Sequence, residues 1–336
     1  MSRYSIGVDL GGTNLRVAAV DESGTLMEKI STSTQVSLGR DEVLDEMCRI
    51  IQTLATRFRT HGPLAGVGIG VPGIIDMESG MLRESPNLPG WANYPVQQEI
   101  ERRLGTSITL ENDANAAAFG EHWLGAGQPV DSLCMLTLGT GVGGGIVLNN
   151  QIWHGMTGMA GEAGHINVEP DGHPCGCGSH GCIEQYASAT AIKRMAMEAI
   201  TTGEAPQLAQ ALKSDPEFSA KAIYNLAIQG DEPAKRIFGT AGSKLGIVLA
   251  GLVNLLNLPM YVVGGGVSSA WDAFAPAMLR EVQARSFVYA ATNRDEHAKH
   301  RTIITRALLG TDAGLFGAAR LPLVAPDSIA KETALR

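Results

Sequence analysis

The sequence has few charged residues, no low-complexity segment and no hydrophobic run that suggests a membrane span. Charged side chains account for 18% of its 336 residues and hydrophobic ones for 44%, which is typical of a soluble globular protein. The most apolar helical stretch, 245–258, is shorter than the roughly 20 residues that cross a bilayer, so we predict a buried helix there. The net charge of −8 disfavours unspecific binding to nucleic acid or to a membrane.

The N-terminal segment also lacks the pattern of a signal peptide, and the expected location is therefore the cytoplasm. Disulfides are rare in that compartment. The chain has five cysteines, and two of them, Cys48 and Cys134, stand among apolar residues, where we expect them to be buried. A chain of 336 residues is long enough to form two lobes.

The other three cysteines are concentrated beside a histidine. His165, Cys175, Cys177 and Cys182 fall within eighteen positions. One imidazole and three thiolates are a common ligand set for structural Zn²⁺, and four protein ligands leave no open position for a catalytic water. The alternatives are three free thiols in a polar loop, or a disulfide, which the strained ring of a Cys-x-Cys pair disfavours. We predict a structural zinc site.

The first predicted element is a β-hairpin with a glycine turn. Two apolar runs within residues 4–20 surround Gly11, Gly12 and Thr13, whereas a Walker loop would be followed by a helix. Backbone N–H groups in such a turn can approach phosphate oxygens. Asp9, at the end of the first strand, suits a hydrated Mg²⁺. A plain tight turn is the alternative, and this segment alone does not separate the two.

The opening pattern occurs a second time. LTLGTGVGGGIVL aligns with VDLGGTNLRVAAV when Leu138 is placed over Leu10 and Gly139 over Gly11. This internal similarity predicts two related lobes, each with a phosphate-facing hairpin, although a coincidence of glycines is the alternative. The residues of the second turn that we predict to bind phosphate are Gly139, Thr140, Gly141 and Gly143.

A third glycine turn, Gly264, Gly265 and Gly266, follows a predicted strand at 261–263. Such a turn has no side chains that would keep a flat base away from the backbone. We therefore predict that it takes part in nucleotide binding.

Asp113 lies between a predicted strand at 107–110 and an alanine-rich helix. The carboxyl ends of strands are where open α/β sheets place their chemistry. Asp113 is suited to take the proton from an attacking hydroxyl. The alternative is that Asn112 or Asp113 only caps the helix, a common use of both residue types.

In order along the chain, these segments resemble the motifs of the ROK family within the sugar kinase/actin superfamily. DLGGT from Asp9 and LGTGVGGG from Leu138 are similar to its two phosphate motifs, and GGGVS from Gly264 to its adenosine motif. EAGH from Glu162 and CGCGSHGCIE from Cys175 resemble its E-x-G-H and C-x-C-G-x-x-G-C-x-E segments. The resemblance covers residues 6–319.

The resemblance implies an α/β, two-lobed actin-like (ribonuclease H-like) sugar kinase fold with a cleft between the lobes. The expected small lobe is 1–124 plus about 305–336, and the large lobe 125–304 carries the zinc-binding segment. The implied reaction is the ATP-dependent phosphorylation of a hexose at its 6-hydroxyl, with glucose as the expected substrate. The implied cofactors are ATP, Mg²⁺ and structural Zn²⁺.

The family also implies residue roles. Asp113 would be the catalytic base. His165 would use one ring nitrogen for zinc and the other for the sugar, which is consistent with the distinct chemistry of the two nitrogens. The predicted sugar-binding residues are Asn87, Asn112, Asp113, Glu162, His165 and Glu184. The predicted nucleotide- and Mg²⁺-binding residues are Asp9, Gly11, Gly12, Thr13, Gly139, Thr140, Gly141, Gly143, Gly264, Gly265 and Gly266.

Two other functions share these motifs. One is an N-acetylmannosamine or N-acetylglucosamine kinase. The other is a sugar-responsive repressor, which would need a DNA-binding module with a basic face. Here the first strand is expected within six residues of the N-terminus and the chain is acidic, so the kinase is favoured. We further expect a homo-oligomer, a dimer, without nucleic-acid or membrane partners. The sequence leaves open whether the phosphate donor is ATP or polyphosphate.

Overall fold

The computed structural model describes residues 2–215, 217–295 and 299–324. The chain divides by its contacts into two compact units. The first unit comprises Met1–Asp131, Gly145–Gly161 and Thr311–Arg336, and the second comprises Ser132–Gly144 and Glu162–Gly310. Because contacts alone do not define a lobe, the lobe boundaries near 124 and 305 stay a prediction.

The strands of the described residues form two five-stranded sheets and one small hairpin. The first sheet has the order β3-β2-β1-β4-β7, the second β10-β9-β8-β11-β12, and the hairpin is β5-β6. The strands are β1 (Tyr4–Leu10), β2 (Asn14–Asp21), β3 (Leu26–Ser33), β4 (Leu64–Val71), β5 (Ile74–Asp76), β6 (Met81–Glu84), β7 (Thr109–Asn112), β8 (Leu133–Leu138), β9 (Val142–Leu148), β10 (Gln151–Ile152), β11 (Met260–Gly264) and β12 (Ile303–Arg306).

Helices make up most of the remaining described chain. They are α1 (Arg40–Phe58), α2 (Val96–Leu104), α3 (Asp113–Leu124), α4 (Glu184–Ala187), α5 (Ala189–Thr201), α6 (Pro206–Ser214), α7 (Ala220–Ile228), α8 (Glu232–Leu256), α9 (Trp271–Arg285), α10 (Phe287–Thr292) and α11 (Ala313–Val324). Short 3-10 turns precede α1, α9 and α11, and another spans Ala163–His165.

The predicted opening hairpin is confirmed. β1 and β2 pair antiparallel, with Leu10 opposite Leu15, and β4 runs parallel to β1. β1 is buried along almost its whole length because α1 and α2 pack on the first unit's core and α11 packs against β1 and β4. The apolar spacing that predicted α1 puts Leu44, Met47 and Ile51 into that core.

Glycines on both helices let α11 pack closely on α3. A Cβ at Gly317 would overlap the backbone oxygen of Ala116, and one at Gly120 would overlap that of Ala313. Backbone atoms cannot move aside as the end of a side chain can, so this close approach requires glycine at both positions. The small residues of 308–319 predict a helix that returns to the first lobe; the structure has α11 there, and it packs on α3, β1 and β4.

The sequence predicts one or two buried helices over 231–258, and the structure has one, α8. The most apolar stretch, 245–258, overlaps its second half and extends two residues beyond it. With 25 residues, α8 is long and apolar enough to cross a membrane by length and composition alone. A core helix passes the same test. α8 packs along α9, with Leu245, Leu249 and Val253 buried, so we interpret it as a core helix.

Some local patterns of the sequence predict elements that the structure corrects. Mixed polar residues and two prolines over 201–216 predict a surface connection, but the structure has α6 there. The run 187–200 predicts one helix, but it is interrupted at Ser188, whose side chain caps α5 by accepting a hydrogen bond from Ala191 N. The strand expected at 107–110 is β7, two residues further on. The predicted C-terminal tail, 325–336, lies outside the described residues.

Candidate functional site

The first glycine turn joins β1 to β2 in the first unit. Gly11 N donates to Asn14 O at 2.8 Å, which closes the turn. Thr34 Oγ1 donates to Gly11 O at 2.6 Å and so holds the turn from β3's side. A Cβ at Gly12 would lie 2.6 Å from Asn87 O, and this close approach explains the glycine. The structure thus brings Gly12 and Asn87, predicted for phosphate and sugar respectively, into contact.

Asp9 has a partner that the sequence analysis missed. Its carboxylate accepts a hydrogen bond from Arg16 at 2.8 Å. Burial raises the pKa of Asp9, and the Arg16 guanidinium opposes this shift. The two residues are direct cross-strand neighbours in the β1–β2 register, so the hairpin alignment contained the signal for this pair.

Asp113 is the first residue of α3 and follows β7 directly. Asn112 caps the helix, because its Oδ1 accepts from Ala114 N at 2.9 Å and Asn115 N at 3.1 Å. Asp113 Oδ1 also accepts from Ala114 N at 2.9 Å. The capping alternative therefore holds for Asn112. It does not exclude a second role for Asp113, whose side chain is only partly buried.

A buried carboxylate two residues before Asp113 has a histidine partner that the sequence did not reveal. Glu111, 2% exposed, receives a 2.7 Å hydrogen bond from the Nε2 of His154. The carboxylate raises the pKa of His154 through this hydrogen bond, so that the imidazole is the donor. No local pattern relates two residues that are 43 positions apart.

The second glycine turn joins β8 to β9 and lies in the second unit. From Gly145 onward, β9 belongs to the first unit. Gly139 N donates to Gly141 O at 2.9 Å. The start of α5 holds the turn from outside, through Ala189 N to Gly139 O at 2.8 Å and Thr190 Oγ1 to Thr140 O at 2.8 Å. Both turns thus place three residues between two neighbouring strands, as the internal similarity predicts, but their closing hydrogen bonds differ in span.

A cavity of about 300 Å³ opens at this second turn. The predicted residues Gly139, Thr140 and Gly266 line it together, and Gly266 comes from the third glycine turn. The remaining lining is mostly apolar with a few hydroxyls and one lysine: Ala189, Ser219, Ala220, Lys221, Tyr224, Phe238, Val267, Ser269 and Ala270. Such a lining suits a flat aromatic base with a polar attachment.

The other predicted glycines do not line this cavity. Gly143 lies within β9, and Gly264 ends β11 as a buried strand residue. Gly265 has φ of 81°, and a Cβ there would lie 2.5 Å from Leu138 O, so it shapes the third turn by packing on β8.

Most of the side chains that line the cavity were missed. Lys221 and Tyr224 lie on α7, which the sequence analysis did not predict. The sequence does contain a signal for this helix. Ser219 is a typical capping residue, and the apolar residues Ile223 and Ala227, which the structure buries, follow it at helical spacing.

The predicted zinc ligands converge in the second unit. The ligand atoms of His165, Cys175, Cys177 and Cys182 all lie within 4.8 Å of one another. Cys177 Sγ is 3.6 Å from Cys182 Sγ, and His165 Nδ1 is 3.7 Å from Cys175 Sγ. Tetrahedral zinc with bonds of about 2.3 Å to sulfur places two sulfurs roughly 3.8 Å apart. The donor set and the spacing therefore fit this metal.

The predicted sugar residues of the second unit adjoin this cluster. His165 Nε2 lies 3.9 Å from Glu162 Oε2, while its Nδ1 faces Cys175. Glu184 Oε2 accepts from Val142 N at 3.0 Å, and its Oε1 is 3.9 Å from Cys175 Sγ. His165 thus has one nitrogen toward the thiols and one toward Glu162. The remaining predicted residues, Asn87, Asn112 and Asp113, belong to the first unit.

A larger cavity, about 450 Å³, lies between α8 and α9. Its lining includes Arg236, Lys244, Arg280 and Glu281, and none of the predicted residues. This cavity is therefore not part of the candidate functional site.

The geometry defines an α/β protein of the actin-like, two-domain class, with two glycine-turn hairpins and a nucleotide-sized cavity at the second. The sequence model of the ROK family matches residues 5–324, and the chain belongs to this family.

Glucokinases of two bacteria are similar over almost the whole chain. One from Halalkalibacterium halodurans is 37% identical over 94% of this chain and 93% of its own length. One from Thermotoga maritima is 38% identical over 94% of this chain and 96% of its own length. The crystal structure of a ROK family glucokinase from Streptomyces griseus, in complex with glucose and AMPPNP, superposes with a TM-score of 0.77 at 35% identity, covering 95% of this chain and 98% of that one.

Proposed function

We propose that the protein transfers the γ-phosphoryl group of ATP to the 6-hydroxyl of a hexose, with glucose as the preferred substrate. The observation that carries the proposal is the cavity where Gly139, Thr140 and Gly266 meet, since two independently predicted nucleotide motifs line one space. The glucokinases of H. halodurans and T. maritima support the choice of reaction, and the S. griseus complex with glucose and AMPPNP supports both substrates.

In this proposal the adenine lies against the apolar part of the cavity, which Tyr224, Phe238 and Val267 provide. The phosphates extend along the Gly139–Gly141 turn, whose glycines allow close approach of the backbone. Phosphoryl transfer requires positioning and charge neutralisation more than covalent chemistry from the protein. Asp9 would hold hydrated Mg²⁺, which neutralises phosphate charge when it is bound. Gly11, Gly12 and Thr13 would contribute the second set of backbone donors.

Asp113 acts as the general base toward the sugar's 6-hydroxyl. Its place directly after β7 and at the first residue of α3, where open α/β sheets put their chemistry, supports this role. Asn87, Asn112, Glu162, His165 and Glu184 bind the sugar hydroxyls. The family resemblance implies these sugar-binding roles. In the second unit, the short distances from His165 to Glu162 and to Cys175 support the role of His165.

Structural zinc would be held by His165, Cys175, Cys177 and Cys182. A metal held there would fix the orientation of the His165 ring, whose Nε2 lies 3.9 Å from Glu162 Oε2 and is proposed to bind the sugar. We also propose a cytoplasmic homodimer without nucleic-acid or membrane partners.

A phosphorylation assay over glucose, mannose, N-acetylglucosamine and N-acetylmannosamine, each with ATP and with polyphosphate, tests the proposal. We expect the highest kcat/KM for glucose with ATP. Turnover confined to the N-acetylated sugars would contradict glucose but leave a hexose kinase. Polyphosphate as the better donor would contradict ATP, and specific binding of operator DNA without turnover would contradict the enzyme.

A further inference from the structure

Glu111 is a buried carboxylate that contacts the chain on both sides of Asp113. Its Oε1 accepts from Asn112 N at 2.9 Å and from Asn115 Nδ2 at 3.0 Å. Asn112 precedes Asp113 and Asn115 lies in the first turn of α3. The position of Asp113 is therefore determined by a strand end and a helix start that share one carboxylate.

The remaining oxygen of Glu111 depends on His154. Oε2 lies 2.7 Å from His154 Nε2, and the Glu111 side chain is only 3% exposed. A buried carboxylate that loses a hydrogen-bond donor either keeps an unpaired charge or takes up a proton. In either case Oε1 becomes a poorer acceptor for Asn112 and Asn115, because a charged acceptor makes the stronger hydrogen bonds.

The loop that presents His154 is itself ordered by hydrogen bonds. Trp153 N donates to Ile146 O at 2.8 Å, and Ala160 N donates to His154 O at 3.1 Å. His154 thus lies between an extension of β10 and a closed loop, and its imidazole is half-buried against Glu111. Side chains held by such contacts keep a single orientation.

A second contact ties the same corner to β4's end. Asn112 Nδ2 donates to the backbone carbonyl of Gly73 at 3.1 Å, while its Oδ1 caps α3. Asn112 therefore responds to any shift of the Glu111 carboxylate, and Asp113 follows because it is the next residue. Displacements of about 1 Å in reacting groups can reduce a rate by about 10²-fold.

We propose that His154 is a positioning residue for the catalytic base: through Glu111 it holds the Asn112–Asp113 corner in the geometry that proton abstraction needs. This inference rests on the proposed role of Asp113 as the base. It assigns His154 no contact with the substrate. Sugar affinity is shared with Asn87, Glu162, His165 and Glu184, which lie outside this corner, so the effect falls on kcat more than on the Kd for glucose.

The test compares His154→Leu with His154→Gln. Leucine removes the donor, whereas the amide of glutamine can place a donor near the former Nε2. We expect kcat of His154→Leu to fall between about tenfold and a hundredfold. The Kd for glucose should change less than threefold, and His154→Gln should recover most of the loss. Gln151→Leu, an exposed substitution on the same segment, is the matched control and should have wild-type kcat.

Two further variants separate the possible failures. In Glu111→Gln, the buried charge is gone, so adding His154→Leu should cost much less than it does in the wild type. Asp113→Asn reports on the base itself. If Asp113→Asn is inactive but His154→Leu keeps wild-type kcat, the positioning role is wrong and the proposed function stands. If Asp113→Asn is fully active, the proposed base is wrong. The circular dichroism spectrum and melting temperature of each variant show whether the first unit, which contains all the substituted residues, is still folded.

Discussion

Gly141→Ala offers a test of how the second hairpin and the sugar residues are linked. A Cβ at Gly141 would overlap Glu184 Oε2, the oxygen that accepts from Val142 N at 3.0 Å. The overlapping atom is the end of a flexible side chain, so we expect the carboxylate to move and the backbone to remain in place. The protein should fold, but Glu184 should lose its hydrogen bond to the hairpin.

The magnitude follows from the kind of bond that is lost. A hydrogen bond to a charged group contributes about 1.5–3 kcal/mol. If that energy orients Glu184 toward the sugar, glucose should bind about 10- to 150-fold more weakly, at about 1.4 kcal/mol for each factor of ten. ATP affinity should fall less than glucose affinity, because Gly141 belongs to the proposed phosphate turn but does not line the cavity proposed for the adenine.

Gly139→Ala is the matched control from the same turn. Its Cβ would meet no protein atom within 4 Å, but it would occupy space in the nucleotide cavity. This variant should therefore lose affinity for an ATP analogue and keep its affinity for glucose. Calorimetric titration of both ligands into both variants measures the two effects. The reasoning fails if Gly141→Ala binds glucose as tightly as the wild type, or if each variant loses both ligands equally.

Three further predictions concern other parts of the site. Asp113→Asn should lower kcat by about 10²–10⁴ while the Kd for glucose stays within a few-fold, and near wild-type turnover would leave Asp113 without a catalytic role. Cys177→Ala should lose zinc by elemental analysis and bind glucose about 10- to 100-fold more weakly, whereas Cys48→Ala, which alters a buried cysteine of the first unit, should keep the metal; full zinc content in Cys177→Ala would contradict the ligand set. Because the folded-state pKa of His154 is raised, its pair with Glu111 should stabilise the protein fully below about pH 6.5 and progressively less as the pH rises through the raised value. The difference in melting temperature between wild type and His154→Gln should therefore be larger at pH 6 than at pH 9, and a pH-independent difference would contradict the ion pair.

The parts of the fold that the sequence predicted are those whose cause is local. Gly11 and Gly139 stand between apolar runs, and both positions became hairpin turns. The four metal-binding candidates are close in sequence and share a short loop, so their convergence needed no knowledge of the tertiary structure. Asn112 as a helix cap is likewise a property of four consecutive residues.

What the sequence did not predict depends on distant packing or on weak local signals. The Glu111–His154 pair joins segments that only the folded first unit brings together. α6 and α7 are short and contain many polar or small residues, so their periodicity is faint until Leu208 and Ile223 are seen to be buried. The bond between Glu184 and Val142 N has the same origin, since 42 positions separate its partners.

The hydrogen bond from Val142 N to Glu184 indicates which residues act on sugar binding and which act on catalysis. In the second unit, Glu184 contacts the phosphate hairpin through Val142 N and the thiol of Cys175 through its other oxygen. One carboxylate therefore connects the second hairpin, the metal-binding loop and the proposed sugar ligands, and a change that disturbs either of these two contacts of Glu184 should alter glucose affinity. In the first unit, the residues beside Asp113 are held by hydrogen bonds of Glu111 to Asn112, Asn115 and His154. Substitutions at Glu184 and its two partners should consequently act mainly on KM for glucose, and those at Glu111 and His154 mainly on kcat.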